Sequence, residues 1–182
     1  MILHTHSDAS YLSESKARSR AAGHFFLSSK DNRINNGPIH TVCTIIKNVI
    51  ASAPEAEIAT AFLTARDAIP IRNALREMGH QQPPTSIQTD NSTADGFLNE
   101  TIKQKRSKVM DRRFWWLIDR VKQKQFTVHW KPGSENLADY FSKHHSPAHH
   151  TTMRPIFLHT QKEKPPTYRE VLRGKSDNAT PT

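Results

Sequence analysis

The chain reads as one mixed α/β domain: a five-stranded sheet, begun by a three-strand antiparallel meander and completed by β-α alternation, with helices on its faces. Three observations predict it. The first fifty residues are dense in β-branched and aromatic side chains and are broken by the turn-like DNRINNGP. From Ser52 the apolar residues recur at helical spacing. Two short apolar runs, TSIQT and FTVHW, then alternate with helical segments.

Residues 2 to 7 have strand character, and GHFFLSS (Gly23 to Ser29) is the second expected strand. Asn36-Gly37 is a hairpin signal, and IHTVCTIIKNVI after Pro38 is the third strand, with Cys43 as a small buried hydrophobe. Ser52 and Glu55 make a capping box. Ile58, Phe62, Ala65 and Ile69 follow at helical spacing until Pro70, which should interrupt the helix; IRNALREM is a second piece closed by Gly79. TSIQTDN is the fourth strand, and such strand ends are where open α/β sheets place ligands. STADGFLNETI is a short helix weakened by Gly96, and KQKRSK is a basic connection. VMDRRFWWLIDRVKQ is an amphipathic helix turning Val109, Phe114, Leu117 and Val121 inward. FTVHW is the fifth strand, KPG a turn, and Ser134 the cap of a last helix bearing Asp139. Residues 1–146 are assigned to the domain. Residues 147–182 form a basic, His- and Pro-containing extension, expected to be disordered from about residue 162.

At 182 residues the chain suits one domain with a tail better than two domains. A net charge of +9, from 26 Lys+Arg against 17 Asp+Glu, suits a polyanionic partner. The single cysteine excludes an intrachain disulfide and a thiolate metal site. Neither a membrane span nor a signal peptide is legible. The expected setting is intracellular, either cytoplasmic in a retroelement particle or nuclear, and not secreted; Asn91 and Asn178 are then chance matches to the glycosylation pattern.

Four carboxylates carry the chemistry: Asp8 in ILHTHSDAS, Glu57 in SAPEAEIATAF, Asp90 in TSIQTDNS and Asp139 in SENLADYF. If the first and fourth strands are neighbours, Asp8 and Asp90 emerge together, and Glu57 and Asp139 reach them from helices. Unpaired acids so close repel, so the cluster makes sense with hard divalent cations bound. Two such ions about 4 Å apart can cleave a phosphodiester. Any one acid alone reads more simply as a solvated cap.

The surrounding text is more specific. SDASYLSESKARSRAAGHFFLSS, NGPIHTVCTIIKNVIASAPEAEIATAF, IQTDNSTADG, KRSKVMDRRFWWL and HWKPGSENLADYFSKHH together closely resemble the ribonuclease H domain of copia-type LTR retrotransposon polyproteins, from about Leu3 to Phe157. The resemblance implies a ribonuclease H-like fold and a two-metal endonuclease, using Mg²⁺ with Mn²⁺ as a substitute. It further implies cleavage of the RNA strand of an RNA/DNA hybrid and a reverse transcriptase domain as partner in the parent polyprotein. By motif, Asp8, Glu57, Asp90 and Asp139 match the family's catalytic, metal-binding acids; Glu55 is assigned to the capping box. The chain departs from the pattern in its short KPGSE loop, which lacks a histidine, in Trp115, and in the absence of a preceding polymerase, so a fragment or decayed copy is expected. A catalytically impaired nucleic-acid-binding remnant is the alternative. An integrase-type transferase fits poorly, because Glu stands second in the order of acids.

For the nucleic acid, Lys103, Lys105, Arg106, Lys108, Arg112 and Arg113 form the densest basic run, with a merely solvated face equally plausible. Asn91 and Ser92 are candidates for a minor-groove or 2′-hydroxyl contact, against a simple turn-and-cap role. Of Trp115 and Trp116, one belongs in the core. A zinc site at His144, His145, His149 and His150 is not expected, since Pro147 interrupts the pair with i, i+4 spacing and no thiol assists.

Overall fold

Strand β1 (Ile2–Glu14) is the pivot of the sheet: it pairs antiparallel with β2 (Arg18–Ser28) on one side and parallel with β4 (Thr85–Thr89) on the other. Strand β3 (His40–Ile45) extends the antiparallel edge and β5 (Phe126–Trp130) the parallel one, giving the order β3-β2-β1-β4-β5. The mixed five-stranded sheet is the one expected from the sequence. The computed structural model describes residues 1–29, 35, 37–102 and 111–158. The Asn36-Gly37 hairpin signal, the KQKRSK connection, Val109 and the tail from residue 162 therefore lie wholly or partly outside the described residues.

Helix α1 (Ala53–Glu77) crosses one face of the sheet. Ser52 accepts from the Glu55 N–H, and the Glu55 carboxylate accepts from the Ala51 N–H, so the expected cap forms. Pro70 does not interrupt the helix as expected. Ala65 and Ala68 before it and Leu75 after it are all buried, and this shared packing outweighs the lost backbone bond. The helix ends at Glu77, and Gly79 just beyond its cap takes a φ of +87° that suits a residue without a Cβ. The first two strands are longer than expected, because the ladder between them runs on through SDASYLSE and RSRAA with one irregularity between Ser10 and Glu14. Cys43 is exposed, not buried: it lies on edge strand β3, most of whose side chains face solvent.

Helices α2 (Ser92–Leu98) and α3 (Asp111–Lys122) complete the α1 side. Leu3, Phe25, Ile58, Ile87, Leu98, Phe114, Leu117 and Phe126 make one apolar core there. Trp116 packs edge-on against Phe62 at 5.0 Å, while Trp115 is 55% exposed, so one tryptophan serves the core. After β5 the expected Ser134-capped helix is replaced by a 3₁₀ turn (Gly133–Glu135) and a short helix α4 (Asp139–Ser142). Pro147 then opens helix α5 (Pro147–Phe157), as proline readily does in a first turn, and Phe157 is buried between His24, Tyr140 and Phe141.

Candidate active site

Pleating sends Leu3 toward α1 and His4, His6 and Asp8 toward the opposite face. β1 and β4 pair as His6 with Gln88, and continuing that register two residues sets Asp8 level with Asp90. Asp8 is not at the end of its strand; it lies where β4 stops and β1 continues against β2 alone, opposite Ala22. That leaves its carboxylate room beside Asp90. Glu57, in the second turn of α1, arrives from the other layer. Its Oε1 accepts from the Ala9 N–H at 3.1 Å and its Oε2 from the Thr89 hydroxyl at 3.4 Å, bonds that tie the helix to both strands.

Carboxylate oxygens of Asp8, Glu57 and Asp90 lie within 4.8 Å of one another. Asp8 and Glu57 are only 2% and 6% exposed. Burial, reinforced by the neighbouring acids Asp90 and Asp139, pushes the Asp8 carboxyl up to about 6 despite a bond from Ser142. Burial and the charges of Asp8 and Asp90 raise Glu57 well above the ordinary range, and burial raises Asp90. Acids held this close at this cost suit cations, and the all-oxygen donor set suits a hard one. The residues therefore fit divalent metal ions.

Asp139 stands apart from this triad. It is 29% exposed and is ion-paired with Lys143. Its loop is anchored on the sheet: Asn136 donates to the Ser7 carbonyl at 2.9 Å, the Leu137 N–H to His6 Nδ1 at 3.0 Å, and Gln88 to the Glu135 carbonyl at 2.8 Å. Burial pulls the Lys143 ammonium down, but the bond to Asp139 and the charges of Asp139, Asp8 and Asp90 hold it above its ordinary value. Gly133 closes the other flank; a Cβ there would sit 2.9 Å from Asp90 Oδ2. Sequence reasoning missed Asn136, Gly133, Ser142 and Lys143. Only the i, i+4 spacing of Asp139 and Lys143 was a usable signal.

The expected nucleic-acid residues are distributed unevenly. Asn91 caps α2, its side-chain oxygen accepting from the Ala94 N–H at 2.9 Å, and Ser92 is exposed in the first turn. Arg113 lies over the Phe62 ring at 5.8 Å, and Arg112 is exposed. Lys103, Lys105, Arg106 and Lys108 are outside the described residues. His145 and His149 stack at 4.2 Å, and Tyr140 bonds His150 at 2.6 Å. Among the described residues, no histidine cluster converges on a metal position.

No family model matches the chain. It is 26% identical over 142 residues to the retrovirus-related Pol polyprotein from transposon TNT 1-94 of Nicotiana tabacum, covering 78% of this chain and 10% of that polyprotein. That relative is a retrotransposon polyprotein, the kind the motif resemblance implied. Among solved structures, the N-terminal RNase H domain of rv2228c from Mycobacterium tuberculosis aligns at a TM-score of 0.55 and 12% identity, over 78% of this chain and 90% of that one. LC11-RNase H1, solved in complex with an RNA/DNA hybrid, aligns at 0.57 and 10% identity over 76% of this chain and 92% of that one. RNase H1 from the archaeon Halobacterium salinarum aligns at 0.50 and 14%, over 78% and 95%. The chain has the ribonuclease H fold, and its sequence is similar to part of a retrotransposon polyprotein.

Proposed function

We propose that the chain is a metal-dependent endonuclease that hydrolyses the RNA strand of RNA/DNA hybrids, as the ribonuclease H part of a retrotransposon polyprotein. One observation carries this reading: Asp8, Glu57 and Asp90, from two parallel strands and the helix packed on them, meet in a buried cluster of raised pKa on a ribonuclease H fold. Mg²⁺, or Mn²⁺ in its place, would supply an activated water and stabilisation of the leaving oxygen. The triad would hold such ions, with Asp139 as the fourth carboxylate. The chain's own residues set the geometry: Ser142 orients Asp8, Ala9 and Thr89 orient Glu57, and Gly133 leaves space beside Asp90. Arg112, Arg113 and the basic run before them supply phosphate contacts, with Asn91 and Ser92 beside the scissile strand. The partner is a reverse transcriptase domain of the parent polyprotein, in an intracellular setting. No helix among the described residues is long and apolar enough to cross a membrane.

Labelled RNA/DNA hybrid, double-stranded DNA and double-stranded RNA, each incubated with Mg²⁺, Mn²⁺ or chelator, test the reading. Cleavage is expected of the hybrid's RNA alone, abolished by chelator and lowered roughly 10³-fold by Asp90→Asn. Cleavage surviving that substitution would overturn the site, and hybrid binding without cleavage would mark an inactive remnant.

A further inference from the structure

Four acids converge on this site, yet they are not equivalent. Three share their oxygens within 4.8 Å, and the fourth, Asp139, is bonded to an ammonium four residues on. Helix α4 delivers both groups, Asp139 at its start and Lys143 just past its end. Ser142, the last helical residue, donates to Asp8, and Lys143 turns extended (φ −115°, ψ 158°), which brings its side chain back to Asp139. The ammonium also feels the charges of Asp8 and Asp90, so it sits within the field of the whole cluster. Its side chain is 50% exposed and can swing into solvent without unpacking anything.

We propose that Lys143 is a tethered internal cation. It neutralises part of the acid cluster in the metal-free protein, and it must leave Asp139 before that carboxylate can join a divalent ion. This rests on the metal-dependent reading above. A like charge a few ångströms from a divalent ion is strongly repelled in a partly buried site, so the lysine competes with the metal and sets how much is needed. Lys143 is thus a positioning residue acting through Asp139.

The test is binding, independent of cleavage. Mn²⁺ is titrated by calorimetry and by electron paramagnetic resonance into the wild-type chain, Lys143→Gln and Lys143→Arg. The glutamine variant keeps the reach and removes the charge; it is expected to bind Mn²⁺ about tenfold more tightly and to have a lower melting temperature without metal. The arginine variant is expected to behave as wild type. In the wild-type chain, the Lys143 ¹³Cε resonance should move to a solvent-like shift as diamagnetic Mg²⁺ saturates the site. Equal Mn²⁺ affinity in wild type and Lys143→Gln, or a Lys143 resonance unmoved at saturation, overturns this inference and leaves the metal-dependent reading standing. No binding by any of the three chains overturns both.

Discussion

Two clusters of titratable groups lie one pleat apart along β1, and burial drives them in opposite directions. Asp8, Glu57 and Asp90 are pushed up toward holding protons. Beside them, His6 is pulled down to about 3 by burial and by His24, His129 and His4, and burial also lowers His24. Asp8 and Glu57 are almost fully buried, and their oxygens converge with those of Asp90. The histidines pack against aromatic rings, with His6 edge-on to Phe26 at 5.3 Å and His24 stacked on Phe141 at 5.9 Å, and His4, His6 and His129 also line a cavity of about 400 Å³. The same sheet thus raises the acids and lowers His6 and His24 within a few residues of one another. His6 links the two, because its Nδ1 accepts from the loop that carries Asp139.

The difference can be broken most severely at Glu57. Glu57→Gln keeps the bond from Ala9 but removes the charge, so hybrid cleavage should fall about 10²- to 10³-fold. At the same time, the metal-free protein should gain about 1 kcal/mol in urea unfolding, because a repulsive buried charge is gone. Loss of both activity and stability would count against a charge conflict at this position.

The pH dependence separates the clusters. The raised Asp8 binds a proton in the folded state before the unfolded one, so its contribution to stability grows as pH falls from about 6 toward 3.8, by on the order of 3 kcal/mol. The lowered His6 works the other way: the unfolded chain takes the proton first, and stability is lost as pH falls below 6.5 toward about 3. In chelator, urea midpoints between pH 7 and 4 should fall more steeply with acid for Asp8→Asn than for wild type. They should fall less steeply for His6→Asn. Parallel curves for all three would contradict opposed slopes.

Gly133→Ala offers a milder probe: its methyl would meet Asp90 at 2.9 Å, and shifting that carboxylate should cost about tenfold in cleavage with little change in stability. The smallest effect is expected at Cys43→Ser. The residue is exposed on an edge strand, and the substitution should change stability by less than about 0.5 kcal/mol in thermal unfolding.

Strand β5 and the inward face of α3 were legible because their apolar spacing matches their burial, whereas β4 is buried along its whole length with Ile87 as its one apolar residue. Asp8, Glu57 and Asp90 could be named because each has its own motif. The histidine layer was also open to reading, since Leu3 and Thr5 alternate with His4, His6 and Asp8, but an imidazole carries no clear preference for core or surface. What stayed hidden depends on partners distant in sequence. Polar SDASYLSE is a strand only because RSRAA pairs with it. Helix α1 passes Pro70 only because a continuous apolar seam holds both halves. Asp139 was expected to join the other acids directly, and its capture by Lys143 depends on a four-residue helix whose end no periodicity marks.

The pivot strand β1 pairs with β4 across some eighty residues of chain, and the acids beside that pairing come from segments as far apart as Asp8 and Asp139. Asp8, Glu57 and Asp90 meet only once β1, α1 and β4 have packed together. Any divalent ion they hold therefore binds the finished fold and not its precursors, and at a hundredfold excess over its dissociation constant it adds about 2.7 kcal/mol to the unfolding free energy. The proposed nuclease activity would thus depend on the pairing of β1 with β4 and the docking of α1: until these have joined, the acid cluster does not exist.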